Sequence, residues 1–262
     1  MSSLVSELII YPVKSLGGIS VSQSKALYAG FEHDRRWMLL DEHNTFITQR
    51  EIPQLALFKP TIEDDDLVIS YQNQALKVGK EQRTSDTIIT KVWDDAAATV
   101  RVGKDADEWF SDLLRRKVKM VRIKSDHGRQ HHNKNKDINI SVSLADGYPF
   151  LVTGSASLDL LNSKLISPVP MNRFRPNIVL STLDPHEEDS WDNCRVGEVN
   201  FLNMKPCGRC SIVTIDQNNA TINNETLKIL NTYRKSGNSV LFGTNMICTN
   251  EGVIRVGDEW FY

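Results

Sequence analysis

Short runs of branched and aromatic residues, broken by turn-forming residues, recur along the whole chain. In the first half they are Leu8-Ile9-Ile10-Tyr11, Trp37-Met38-Leu39-Leu40, Leu67-Val68-Ile69, Ile88-Ile89 with Val92-Trp93, and Val118 with Met120-Val121. Phe150-Leu151-Val152, Ile178-Val179-Leu180, Ser211-Ile212-Val213-Thr214-Ile215 and Val253-Ile254-Arg255-Val256 continue the series. Gly17-Gly18, Asp41-Glu42-His43-Asn44 and Asp216-Gln217-Asn218-Asn219 punctuate it. Compact runs of this composition between turn signals predict strands. Helical spacing is rarer. Residues 105–116 put Trp109, Phe110, Leu113 and Leu114 on one stripe behind acidic first-turn residues. Residues 155–165 begin with a serine placed as an N-cap and carry Leu158, Leu161 and Leu165. Residues 224–235 offer Leu227, Leu230 and Tyr233, with Gly237 as a C-terminal stop. Strands outnumber helices without alternating regularly with them, which predicts a β-rich α+β or β-barrel architecture rather than a doubly wound sheet.

The stretch 124–137, KSDHGRQHHNKNKD, is polar and without periodicity, and reads as an exposed loop or a linker between two parts of the chain. Glu63-Asp64-Asp65-Asp66 reads as a solvated hairpin turn.

Charge and composition narrow the function classes. With 262 residues, 24% of them charged, and a net charge of -2, the chain lacks the basic excess of a protein that binds a nucleic-acid polymer. No apolar run approaches the roughly 20 residues that span a bilayer, so no membrane segment is expected. The N-terminus, MSSLVSELIIYPVKS, has neither the basic lead nor the long apolar stretch of a secretory signal. Four cysteines are too few for a disulfide scaffold of this length, which points to reduced thiols in the cytoplasm.

Cys207-Gly208-Arg209-Cys210 admits four readings. Both thiols are small core residues; or they form a thioredoxin-type redox pair, which wants a helix start after the motif where this chain has the β-type run from Ser211; or they belong to a zinc site, which wants two further ligands although Cys194 and Cys248 stand alone; or one thiolate binds a soft metal centre. In the last case Arg209 favours the thiolate, Pro206 stiffens the approach and Gly208 admits a close ligand. Lys14-Ser15 follows a strand and precedes Gly17-Gly18, Arg35-Arg36 opens another strand, and Arg173-Phe174-Arg175-Pro176-Asn177 precedes a third. Cations at strand entrances suit phosphate, and each taken singly also suits a surface ion pair.

Taken in order, Ile10-Tyr11-Pro12-Val13-Lys14-Ser15, Asp34-Arg35-Arg36-Trp37, Phe174-Arg175-Pro176-Asn177-Ile178-Val179, Asp189-Ser190-Trp191, Cys207-Gly208-Arg209-Cys210 and Leu241-Phe242-Gly243 resemble the MOSC-domain family with its N-terminal β-barrel. The branch is that of the mitochondrial amidoxime-reducing component and its bacterial relatives, and the resemblance covers nearly the whole chain. It implies a MOSC N-terminal β-barrel-like domain over residues 1–120 and a MOSC β-barrel domain over 121–262. It implies a molybdenum cofactor, Mo-molybdopterin, whose metal is held by Cys210 as ligand and catalytic residue. Lys14, Ser15, Arg35, Arg175, Gly208, Arg209 and Asn245 fall at cofactor-binding positions, with Asp146-Gly147-Tyr148 nearby and Arg173 unassigned.

The implied reaction is reduction of small N-hydroxylated substrates, whether hydroxylamines, amidoximes or N-hydroxylated bases, to amines. After Tyr262 there is no further cysteine cluster, so the resemblance implies a separate electron-donating reductase, flavin or iron–sulfur. Two alternatives stand beside this reading: a sulfur-transfer enzyme, and a carrier that delivers the molybdenum cofactor.

Overall fold

A computed structural model of the chain describes residues 2–133 and 136–262. They form two compact units. One comprises the chain up to Ile10, Ser20–Glu32 and Tyr148–Tyr262; the other comprises Tyr11–Ile19 and His33–Gly147.

The first unit is a barrel. Strand Phe150–Gly154 pairs in parallel with Ile178–Ser181, which pairs with Ser2–Ile10. The order continues through Glu259–Phe261, Asn193–Val196, Val199–Arg209 and Ser239–Cys248, and the last returns to Phe150–Gly154 to close a ring of seven. Closure leaves no free edge among these strands. Phe150, Phe201 and Trp260 fill the interior, with ring centroids 5.1–5.2 Å apart. The seam that closes the ring depends on Gly243. Its φ is +71°, and a Cβ there would meet the Val152 carbonyl at 2.7 Å, so only glycine fits. A second small sheet joins Gly252–Arg255, Gln23–Leu27 and Gly30–Phe31. Helices α2 (Ser155–Asn162) and α3 (Glu225–Tyr233) belong to this unit.

The second unit carries a four-stranded antiparallel sheet, ordered Trp37–Leu40, Lys119–Ile123, Asp95–Arg101, Thr87–Val92, and a three-stranded meander over Lys59–Glu63, Asp66–Tyr71 and Gln74–Val78. Helix α1 (Lys104–Leu114) lays Ala106 and Phe110 into a core with Phe58, Leu67, Ile69 and Met120. Asp64 and Asp65 take positive φ at the tight turn between Glu63 and Asp66, as the acidic run predicts.

Four local expectations are corrected. Ser211–Thr214 is a 3-10 turn rather than a strand, closed by Val213 N–H donating to the Cys210 carbonyl. Part of the polar stretch is ordered as the hairpin Arg129–Asn133 with Ile138–Val142, because Arg129 is buried against Asp95; Lys134 and Asn135 of that stretch lie outside the described residues. Gly154, not Ser155, occupies the N-cap of α2, and Ser155 Oγ instead accepts from the Thr182 N–H at 3.2 Å. Gly237 turns the hairpin between Lys235–Ser236 and Ser239–Cys248 rather than ending α3.

Candidate functional site

The predicted site residues divide between the units: Lys14, Ser15 and Arg35 in one, Arg175, Gly208, Arg209, Cys210 and Asn245 in the other.

In the barrel unit, Pro206 and Cys207 sit where the pairing of Val199–Arg209 with Ser239–Cys248 slips register. Gly208 then faces Leu241, and Arg209 faces Val240. Arg209 is the last residue of the strand, so Cys210 follows at its mouth in extended conformation, exposed, as the residue that opens the 3-10 turn. Extended residues separate the Cα atoms of Cys207 and Cys210 by on the order of 10 Å, whereas a disulfide tolerates about 7 Å. The pair is therefore not built to cycle as a disulfide, and the two thiols have separate surroundings. Burial pushes the thiols of Cys194 and Cys248 up to about 12, which leaves both inert.

Arg209 ties this strand end to the loop before Ile178. Its Nη2 donates to the Phe174 carbonyl at 2.7 Å, and its Nη1 to the Cys207 sulfur at 3.1 Å. Phe174 is locked in turn by stacking on Phe242, with centroids 3.8 Å apart at 17°. Arg175 follows with φ +55° and is buried, a backbone region that a side-chain-bearing residue enters at a cost. Asn245 is half-buried on Ser239–Cys248, opposite Leu151 on one side and Lys205 on the other. A Cβ on Gly208 would have Ser239 Oγ as nearest neighbour at 3.4 Å, so the chain itself leaves that face open.

In the other unit, Lys14 and Ser15 form a pinned turn. Ser15 has φ +70°, its carbonyl accepts from Gln49 Nε2 at 2.8 Å, and Gly17 N–H donates to the Phe58 carbonyl at 3.0 Å. The Lys14 ammonium is buried, donates to the Leu144 carbonyl at 2.9 Å and pairs with Asp146. Burial lowers the Lys14 pKa against the opposing pull of Asp146. Burial would raise that of Asp146, but the charge and hydrogen bond of Lys14, a hydrogen bond from Trp93 and the charge of Arg50 together outweigh it and hold the carboxyl below its usual range. Arg129 braces the same loop, reaching the carbonyls of Ala145 and Asp146 while its other end pairs with Asp95. Arg35 has φ +48°, donates to the fully buried Asp34 at 2.6 Å and lies 4.3 Å over the Tyr11 ring.

A cleft of about 260 Å³ beside α1 contains none of the predicted residues; within it Arg101 pairs with Asp107 and Lys104 with Glu108. Among the described residues, no three His, Cys, Asp or Glu side chains gather as a metal cage.

A group combining a phosphate with a sulfur-ligated metal finds both kinds of partner in the barrel unit: the exposed thiol of Cys210, a soft donor, and buried cationic N–H groups. Arg209 Nε, and Nε and Nη1 of Arg173, are sealed from solvent and bond no described residue. The sequence singled out Arg173 without a role; its unpartnered donors are visible only once the chain is folded.

Residues 2–117 match the MOSC N-terminal beta barrel domain and residues 139–260 the MOSC domain. The chain is 32% identical to mitochondrial amidoxime-reducing component 1 of Mus musculus over 276 residues, covering 97% of this chain and 80% of that one. The Homo sapiens counterpart is 30% identical over 273 residues, covering 97% and 81%. Molybdenum cofactor sulfurase of Arabidopsis thaliana is 26% identical over 267 residues, covering 93% of this chain and 33% of that protein.

Proposed function

Because the chain belongs to the MOSC-domain family, with the N-terminal β-barrel domain preceding the MOSC domain, we propose that it is a molybdenum-cofactor-dependent oxidoreductase that reduces N-hydroxylated compounds to amines. The observation that carries this reading is the exposed thiol of Cys210 at the end of a strand whose neighbour Arg209 is anchored to the Phe174–Arg175 loop. Its similarity along nearly its whole length to proteins named for amidoxime reduction supports the substrate class.

In this reading Cys210 binds the metal as thiolate, a soft ligand for a soft centre. Arg175, Gly208, Arg209 and Asn245 of the barrel unit would hold the pterin and its phosphate, and Lys14, Ser15 and Arg35 keep the cofactor-binding roles that the sequence resemblance implies. The cofactor, when bound, would supply the two-electron reduction of the N–O bond. The balance is R–NHOH plus two electrons and two protons giving R–NH2 and water. The protein's own part is to fix the ligand thiolate, neutralise the phosphate and orient both through surrounding hydrogen bonds. Electrons come from a separate reductase carrying flavin or an iron–sulfur cluster. Four thiols, none in a disulfide, suit a reducing compartment, which we take to be the cytoplasm. Among the described residues no helix is long and apolar enough to cross a membrane.

The test is conversion of benzamidoxime to benzamidine with an artificial reductant, using protein made in cells that synthesise the cofactor. The wild-type chain forms benzamidine and Cys210→Ser does not. Full molybdenum loading without product on benzamidoxime or hydroxylaminopurine would defeat the reductase reading and favour a carrier. The likeness to the sulfurase supports a second reading, sulfur transfer through Cys210. A persulfide there, read by mass spectrometry as a gain of about 32 Da, would move the assignment to it.

A further inference from the structure

Arg173 has one firm partner and two unmet donors. Its side chain is 8% exposed, and Nη2 donates to Asp216 Oδ2 at 2.8 Å. Asp216 is fixed in place because its Oδ1 accepts the N–H groups of Asn218 at 2.8 Å and Asn219 at 3.3 Å. These backbone bonds, with Arg173 beside them, hold its carboxyl below the usual range against a modest opposing effect of burial. Asp216 therefore stays an anion committed to one nitrogen of the guanidinium. Nε and Nη1 reach neither solvent nor any described acceptor. Two sealed, unsatisfied N–H donors on one guanidinium occur at no other described arginine, and the usual reason for such groups is an acceptor that completes them.

The place of this guanidinium in the fold says which acceptor. Met171–Arg173 is a 3-10 turn that packs against Ser211–Thr214, the turn that Cys210 opens. The next residue, Phe174, gives its carbonyl to Arg209, and the one after is Arg175. Asp216 offsets one charge, and Arg175 and Arg209 leave the segment net positive. A buried acceptor at such a place is an oxyanion held inside the protein rather than a group passing over its surface.

We propose that Arg173 is a further anion-binding residue of the barrel unit, taking oxygens of a phosphate monoester through Nε and Nη1. It rests on the cofactor reading above in so far as the phosphate is that of the cofactor's tail. Asp216 is its positioning residue, presenting the guanidinium through Nη2. Arg173 touches the cofactor's phosphate and not the reacting atoms, so its loss weakens retention of the cofactor before it alters turnover per loaded site.

The experiment uses holoenzyme and follows pterin and molybdenum retained per chain over time after gel filtration, for wild type, Arg173→Gln, Arg173→Lys and the exposed control Arg195→Gln. Arg173→Gln loses pterin roughly tenfold faster or more, as truncation of a buried charge contact raises dissociation rates; Arg173→Lys falls between, and Arg195→Gln matches wild type. Equal retention in wild type and Arg173→Gln overturns the proposal and leaves Arg173 a structural partner of Asp216. Should Arg173→Gln not fold, Arg173→Lys decides, and so does a second measurement, the melting temperature of cofactor-free chain titrated with inorganic phosphate. Phosphate raises it in wild type and raises it less in Arg173→Lys; the same rise in both overturns the proposal. A wild-type chain purified without pterin or molybdenum defeats the cofactor reading alone, and the phosphate titration then judges Arg173 as an oxyanion site in its own right.

Discussion

Arg209 donates to the sulfur of Cys207 at 3.1 Å, so the two thiols of the Cys207–Cys210 motif have unequal surroundings. Cys207 is engaged within its strand end, while Cys210, three residues on, is presented to solvent at the mouth of the barrel. The same guanidinium holds the Phe174 carbonyl at 2.7 Å, and thereby couples the strand that ends in Cys210 to the loop that carries Arg173 and Arg175.

Removing that tie has two separable consequences. Arg209→Met loses both contacts and destabilises the fold by about 1–3 kcal/mol, the range for hydrogen bonds to charged groups, measured by urea unfolding. Its cofactor content falls further than this loss of folded protein accounts for. Molybdenum per folded chain equal to wild type would show that Arg209 serves the fold alone.

The seam that closes the barrel gives a prediction independent of any cofactor. Gly243→Ala forces a Cβ to within 2.7 Å of the Val152 carbonyl and of Thr153 Cγ2 at a φ of +71°. The cost is about 2–4 kcal/mol, strain and clash together. A change in unfolding free energy of well under 1 kcal/mol would contradict the pairing of Val152 with Thr244 at this seam.

His186 makes stability depend on pH in a defined window. Burial, and then the charge of Arg234, lower its pKa from 6.5 to about 4. The unfolded chain takes up this proton near the ordinary value and the folded chain only near 4, so the unfolded state holds more protons in between. Its contribution to stability is present above pH 6.5 and is lost as pH falls through 4. His186 has φ +64°, which asparagine tolerates. Relative to wild type, His186→Asn flattens the fall in unfolding free energy over this window, by less than the full worth of the shift because the imidazole is partly exposed. Parallel curves for the two proteins would show that His186 is not held neutral.

The parts of this fold legible in the sequence are those set by local physics. Trp37–Leu40 is buried at every position, and an unbroken apolar run predicts such a strand. The stripe of Trp109, Phe110, Leu113 and Leu114 marks α1, and the paired aspartates at 64 and 65 mark their turn. Legibility fails where distant groups decide. Ser211–Thr214 has strand-like composition, but a run so short carries no period, and hydrogen bonds to Cys210 and within the turn curl it. Arg129–Asn133 reads as loop because its order comes from Asp95, 34 residues away. Ser155 is drawn from capping by Thr182. For the site, the motifs marked Lys14, Arg35, Arg175 and Cys210 as candidates, yet the engagement of Lys14 by Asp146 and the unmet donors of Arg173 follow from tertiary placement that residue spacing does not encode.

The most direct test is molybdenum per chain in protein made by cofactor-competent cells, compared across wild type, Cys207→Ser and Cys210→Ser. Stoichiometric metal in the first two and none in the third is the predicted result. Metal kept by Cys210→Ser, or lost on replacing Cys207 instead, would contradict a thiolate–metal bond at position 210.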